Sequence, residues 1–170
     1  MIAELPLPTV LSGARSIELR RATRDDLHQL IALLGDDPIS AGRGDIAEES
    51  DRPAYEAALD AIQSDAGNDV IAATDQSGRI LGTLQLTRIP GMARRGSTRL
   101  LVEAVRVSSS ARSSGIGTAL MRWVLLEAAP SIGADLVQLT SDAQRADAHR
   151  FYERLGFVGS HIGFKYLLRH

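Results

Sequence analysis

The chain has no cysteine in 170 residues and a single lysine, Lys165, among 19 basic residues. Without cysteine there is no disulfide framework, no thiolate metal site and no cysteine nucleophile. Four histidines, His28, His149, His161 and His170, are scattered with no ligand-spaced pair, so no metal is expected. No apolar run reaches the length of a membrane span, and the opening MIAELPLPTV lacks the basic start and sustained apolar block of a targeting peptide. A soluble, cytoplasmic protein is the resulting expectation. Positive charge in excess is missing too: the formal net charge of −2 argues against a nucleic-acid surface. The preference for arginine, 18 of those 19 basic residues, is open between coding composition and anion binding.

What is present fits one domain over residues 16–170, preceded by an arm over 1–15, with an ordinary 44% hydrophobic content. Alternation over 16–21 predicts a first strand. Thr23 with Asp26 three positions on resembles a capping box, and Leu27, Leu30, Ile31 and Leu34 follow at helical spacing. Residues 35–49 are polar and aperiodic, a loop of the length that often borders a ligand. Tyr55, Ala58, Leu59 and Ile62 then mark a second helix. Strands are expected at 69–74 and 79–88, joined by the turn Asp75-Gln76-Ser77-Gly78, and at Arg99–Val107 after a basic loop over 92–98. A helix over 115–129 stops before Pro130, a strand over 134–140 follows, and a helix over 142–155 ends at the C-cap residue Gly156. Two short β-like pieces around Gly163, within 157–168, close the chain and offer an edge for a homodimer.

The functional interest lies where the strand Arg99–Val107 runs into Ser108-Ser109-Ser110-Ala111-Arg112-Ser113-Ser114-Gly115-Ile116-Gly117. A helix start exposes unpaired amides and the positive end of the dipole, and so attracts phosphate. Gly115 and Gly117 let backbone approach the anion, Arg112 adds a cation, and Ser113, Ser114 and Thr118 offer hydroxyl donors. Alone, a GxG at a helix start is equally a plain tight turn. A dinucleotide fold would need a third glycine and an early βαβ unit, and this chain has neither.

Arg112-Ser113-Ser114-Gly115-Ile116-Gly117 resembles the Arg/Gln-x-x-Gly-x-Gly/Ala signature of the GNAT superfamily of acetyl-CoA-dependent N-acetyltransferases. The segment Ala148–Phe157, with Tyr152, Gly156 and Phe157 in a Tyr-x-x-x-Gly-Phe pattern, is similar to its second hallmark. The resemblance implies an α/β (α+β) fold: a central mixed sheet, splayed at the coenzyme site and flanked by about four helices. It implies acetyl-CoA as co-substrate, its pantetheine arm along Val105, Arg106 and Val107 and its diphosphate on Arg112, Ser113, Ser114, Gly115, Ile116, Gly117 and Thr118. Many relatives carry an asparagine where this chain has Arg145, so a coenzyme contact there is not carried over.

Acetyl transfer from a thioester needs a neutral amine, a stabilised oxyanion and a proton for the departing thiolate. Glu103 interrupts an apolar run in its strand, where an acid is costly unless paired or used; the resemblance makes it the general base, directly or through water, and the alternative is an ion pair with Arg99, Arg106 or another arginine. The resemblance makes Tyr152 the acid that protonates the thiolate; the alternative is a core tyrosine with a satisfied hydroxyl. It also makes the backbone amide of Val105, or a neighbour, the oxyanion donor. Trp123 falls on an apolar stripe and is expected in the core, while His161 is an exposed loop residue or an aid to proton removal. Arg94, Arg95 and Arg99 form a solvated basic face or meet an anionic acceptor or the 3′-phosphate of the coenzyme. The expected function is transfer of acetyl from acetyl-CoA to a primary amine of a small molecule, without nucleic acid, membrane or metal. The competing readings are a non-catalytic coenzyme A-binding regulatory module and a protein lysine or N-terminal acetyltransferase.

Overall fold

A computed structural model of the chain describes residues 1–14, 16–42, 44 and 48–168. Its centre is a mixed sheet of β1 (Thr9–Val10), β2 (Glu18–Arg21), β3 (Asn68–Thr74), β4 (Ile80–Ile89), β5 (Arg99–Val107) and β6 (Leu136–Leu139), in that spatial order. Neighbours are antiparallel except β5 and β6, which run parallel. The helices are α1 (Leu27–Gly35), α2 (Pro38–Ala41), α3 (Arg52–Ser64), α4 (Ala93–Gly96), α5 (Ile116–Trp123), α6 (Ala129–Ser131) and α7 (Ala146–Arg154). No helix among the described residues is long and apolar enough to cross a membrane.

The two-residue period of β3 sorts its side chains between two cores. Ile71 and Ala73 join Leu19, Leu84, Leu100 and Val102 under α5, whose Ile116, Leu120 and Trp123 pack down on them. Val70 and Ala72 face the other way, against Leu27, Leu30 and Ile31 of α1 and Leu59 of α3. Trp123 is thus a core residue, as its helical stripe predicts. The arm contributes to the core as well: Ile2, Leu5, Leu11 and Ala14 are buried in the α5 cluster.

Local chemistry explains most element boundaries. Asp26 accepts from the Thr23 amide (2.8 Å) and hydroxyl (3.0 Å), completing the capping box. The same carboxylate takes a bidentate pair from Arg20 of β2 (2.6 and 2.7 Å), which ties strand to helix. Chiefly through that hydrogen bonding, the Asp26 carboxyl is held below the usual carboxylate range, although burial opposes the shift. A depressed folded-state pKa stabilises the fold above the unfolded value, about 3.9, and that stabilisation fades as pH falls through the folded one. Asp26→Asn should therefore cost about 2–3 kcal/mol in denaturant unfolding at pH 7, and the gap to the parent should close in strong acid. At the β3–β4 turn, Asp75 accepts from Ser77 N (2.8 Å) and Arg79 N (3.1 Å), and Gly78 supplies φ +83°.

Several expectations need correction. The helix expected over 115–129 continues beyond Pro130 to Ser131, through a π-helical stretch Val124–Ala128. The wider π turn shifts the carbonyl ladder and lets a residue without an amide sit in the last turn. The final helix begins at Ala146, because Asp142 caps a turn instead, its side chain accepting from Gln144 N (2.9 Å) and its carbonyl from Arg145 N (3.0 Å). The loop over 35–49 contains α2, and its residues 43 and 45–47 lie outside the described ones. The basic loop makes the short turn α4, with Arg94 and Arg95 at φ +53° and +61°. The β-like pieces over 157–168 form no strand among the described residues, and past the half-buried Phe157 the tail is exposed. Its alternating pattern finds no partner strand among the described residues, and alternation without pairing makes no ladder.

Candidate active site

The site starts from a defect in β5. Thr83 faces Arg106 and Gln85 faces Glu103, so β5 carries one residue more than β4 across this interval, a bulge with Ala104 at φ +49°. A bulge bends its strand, and β5 parts from β6: their pairing begins at Arg99 with Leu136 and ends at Val102 with Leu139. Glu103, Arg106 and Val107 still pair with β4, while the β5–β6 ladder does not continue past Val102 among the described residues. This open wedge at the carboxyl ends of two parallel strands is where α/β sheets commonly bind ligands.

The chain then turns through Ser109–Ala111 into α5. Gly115 caps that helix at φ +88°, a backbone conformation favouring glycine, and among the described residues no side chain hydrogen-bonds the helix start. Ala119 N bonds Gly115 O (2.9 Å), so the amides of Ile116, Gly117 and Thr118 have no acceptor within the helix. A Cβ on Gly117 would lie 3.5 Å from Val107 and 3.7 Å from Phe151, so its bareness faces β5 and α7. The helix start is seated deeply: a Cβ on Gly82 of β4 would come within 3.0 Å of Leu120 and 3.4 Å of Ile116.

The other expected residues take these places. Ile116 is 4% exposed, leaving its amide as its contribution. Val105, Arg106 and Val107 are half-buried along the wedge, and Arg106 Nη1 donates to the Val105 carbonyl (2.9 Å). Arg112 is exposed and donates to the Asp36 carbonyl (3.1 Å), while Ser113, at φ +64°, and Ser114 are exposed, Ser114 Oγ donating to Ala111 O (2.5 Å). Glu103 lies exposed at the wedge's start and forms no ion pair among the described residues, so the arginine partnership does not form here.

Tyr152 comes from α7, half-buried between Phe151 (5.1 Å between rings) and Phe157 (5.8 Å). Burial raises its pKa above the ordinary phenol value, against the opposing charges of Arg106 and Arg145. It is therefore a neutral hydroxyl at physiological pH, able to give a proton. It makes no hydrogen bond among the described residues. His161 is exposed, its Nδ1 2.7 Å from Ser160 Oγ, and Arg94 and Arg95 are exposed on their turn.

Sequence reasoning missed the two acids that brace the site. Asp36 accepts from the Ser109 amide (2.6 Å), which, first among its causes, depresses its pKa. Asp37 takes a bidentate pair from Arg145 at the α7 start (2.7 and 2.6 Å). Adjacent in sequence, they tie the end of α1 to the loop before α5 and to the helix that carries Tyr152. Their signal was present in the loop over 35–49, but partners 73 and 108 residues away leave no local pattern. The third omission is Ser141, just past β6, whose buried hydroxyl has no partner among the described residues. Such an orphaned donor fits a site completed by a ligand. No cluster of three or more metal-ligating side chains occurs among the described residues.

Comparison with known proteins agrees with this geometry. Residues 27–157 match the Acetyltransferase (GNAT) family. Among solved structures, a transcriptional regulator from Bacillus halodurans C-125 is 39% identical with TM-score 0.84, covering 89% of this chain and 99% of that one. An acetyltransferase of Trypanosoma brucei is 29% identical with TM-score 0.71, over 89% and 99% of the two chains. Glucosamine-6-phosphate N-acetyltransferase of Arabidopsis thaliana shares the fold at 17% identity, with TM-score 0.72 over 91% and 100%. Aminoalkylphosphonate N-acetyltransferase of Salmonella typhimurium is 43% identical over 53 residues, 31% of this chain and about a third (34%) of that protein. With the splayed mixed sheet and the bare helix start, the match over residues 27–157 shows that the chain belongs to the GNAT acetyltransferase family.

Proposed function

We propose that the protein transfers acetyl from acetyl-CoA to a primary amine of a small molecule. The observation that carries this reading is the wedge past Val102 and Leu139, opening beside the uncapped amides of α5. A diphosphate has charge and oxygens for Ile116, Gly117 and Thr118 amides, with Arg112 alongside, and an amide-bearing pantetheine arm can lie along residues 105–107 on the side of β5 away from β4. Both halves of that molecule thus meet polar backbone of matching chemistry, with the orphaned hydroxyl of Ser141 as a further donor.

In this mechanism a neutral amine attacks the thioester carbonyl carbon, forming the C–N bond, and the oxyanion is held by a backbone amide at Val105. Glu103 takes the proton leaving the amine nitrogen, directly or through water; its exposure beside the wedge supports either route. Collapse breaks the C–S bond, and Tyr152 gives its proton to the departing thiolate. Glu103→Gln should lower kcat by about tenfold to a hundredfold, less than a full base deletion if water can relay. Retained turnover across pH 6–9 would remove Glu103 from the chemistry.

Acylation of a small amine is supported by the aminoalkylphosphonate N-acetyltransferase match, though it spans only part of each chain. The description of the Bacillus halodurans neighbour as a transcriptional regulator favours a second reading, a coenzyme A-binding regulatory module without turnover. One assay separates them: release of free thiol from acetyl-CoA with aminoalkylphosphonates, polyamines, amino acids, aminosugars and peptides offered as acceptors. Turnover with a small amine is expected. Saturable coenzyme binding without turnover on any amine would favour the regulatory reading, and turnover confined to peptides a protein acetyltransferase.

A further inference from the structure

We propose that Asp37 and Arg145 are positioning residues of the proton-transfer step: Asp37 fixes the Arg145 guanidinium at the start of α7, where its charge stabilises the phenolate that Tyr152 becomes on giving its proton away. That role rests on Tyr152 being the acid. The two opposite charges have been taken largely out of water, the Arg145 and Asp37 side chains being 20% and 16% exposed. They meet end-on, Arg145 Nη1 donating to Asp37 Oδ2 (2.7 Å) and Nη2 to Oδ1 (2.6 Å). Two bonds to two oxygens set the plane of the guanidinium as well as its distance. A buried ion pair returns little net stability, because desolvation of both ions offsets their attraction. Stability alone is therefore a poor reason for placing one here.

Both partners are anchored by backbone. Asp36 N closes α1 on the Ala32 carbonyl (3.0 Å), the Asp36 side chain accepts from Ser109 N (2.6 Å), and Pro38 restricts the residue before it, so Asp37 leaves α1 in a set direction. On the other side Arg145 N bonds the Asp142 carbonyl (3.0 Å), and the Arg145 carbonyl accepts the opening helical bond of α7 from His149 N (3.0 Å). The guanidinium thus springs from the N-cap of the helix that carries the acid. Tyr152 follows seven residues later on the same face, about 10 Å along the axis, and helical side chains lean toward the N-terminus, which turns its ring toward Arg145.

The chemistry gives that charge a task. When the C–S bond breaks, sulfur takes the proton of the Tyr152 hydroxyl: an S–H bond forms, the O–H electron pair stays on a phenolate, and solvent later returns the proton that the amine released. Tyr152 is half-buried between the rings of Phe151 and Phe157, which offer a phenolate no hydrogen bond. Burial is the largest influence on the phenol and opposes its ionisation; the charges acting against burial are Arg106 on β5 and Arg145 on α7. Arg106 is held along its own strand through the Val105 carbonyl (2.9 Å), whereas Arg145 is held from across the site, by the residue after α1. A charge fixed beforehand stabilises developing charge without reorganising during the step. The asparagine that many relatives carry at this position could not supply it.

In the full chain, Asp37→Asn with Arg145→Gln replaces the ion pair by two amides and leaves no lone buried charge. Subtracting the matching Tyr152→Phe variant isolates the ultraviolet phenolate band of Tyr152 from those of Tyr55 and Tyr166 in an alkaline titration, a readout that needs no ligand. The amide pair should move the Tyr152 midpoint about one pH unit higher. With acetyl-CoA and an amine that thiol release has shown to be an acceptor, it should lower kcat about tenfold while KM for acetyl-CoA stays within about threefold of the parent. The reversed pair, Asp37→Arg with Arg145→Asp, should recover the parent's thermal stability but not its kcat, since it sets an anion beside the phenolate. An unmoved midpoint overturns the proposal, as does recovery of kcat by the reversed pair, which would make the ion pair a structural brace. An equal loss on top of Tyr152→Phe also overturns it while sparing the acid, and full turnover in Tyr152→Phe alone removes the acid and this role together.

Discussion

Tyr152→Phe should lower kcat by about 10²- to 10⁴-fold while leaving the affinity for acetyl-CoA within about threefold of the parent. The substitution removes one oxygen. Because that hydroxyl has no hydrogen-bond partner among the described residues, and the ring contacts with Phe151 and Phe157 survive, stability should change by less than about 0.5 kcal/mol. This combination separates an acid from a core tyrosine, whose satisfied hydroxyl would be missed by the fold and ignored by the chemistry. Burial keeps the phenol neutral to higher pH than usual, so the parent should hold its activity on the alkaline side up to that raised value. Steady-state kinetics alongside thermal unfolding would show both halves, and unchanged kcat would remove Tyr152 from thiolate protonation.

The second large effect is expected at Gly117. Alanine places its Cβ in ordinary contact with Val107 and Phe151, so Gly117→Ala should bind acetyl-CoA within about threefold of the parent. Gly117→Trp cannot fit between β5 and α7 and must lever the α5 start away from the wedge, which should weaken binding by about a hundredfold or more. The pair is informative because both variants carry a side chain where there was none, and only the larger one displaces the helix. Calorimetric titration of each is the check, and equal affinities would sink the role given to this helix start.

Much of the scaffold was legible because short-range rules govern it. The span of β5 was read to the residue, the Asp75-Gln76-Ser77-Gly78 turn obeyed its side-chain chemistry, and the Thr23–Asp26 box capped as its spacing implied. What escaped depends on distant partners. Nothing near Ile2, Leu5 or Leu11 says that the arm packs under α5, and nothing near Asp36 and Asp37 names Ser109 and Arg145 as their partners. Glu103 looked costly inside an apolar run, but the bulge at Ala104 turns that end of the strand outward and removes the cost. Pro130 misled in the opposite way, since the π stretch before it suspends the rule that proline ends a helix. The tail over 157–168 has the alternation of a strand and none of the pairing, which sequence period alone cannot distinguish.

A diphosphate resting on the amides at the start of α5, as proposed, should mark those amides directly. Amide NMR of this 18.3 kDa chain during titration with acetyl-CoA tests it residue by residue. Ile116, Gly117 and Thr118 should show the largest shifts, saturating together at one equivalent, with smaller shifts extending to residues 105–107. Shifts that fail to saturate, or that saturate elsewhere while those three amides stay still, would contradict it.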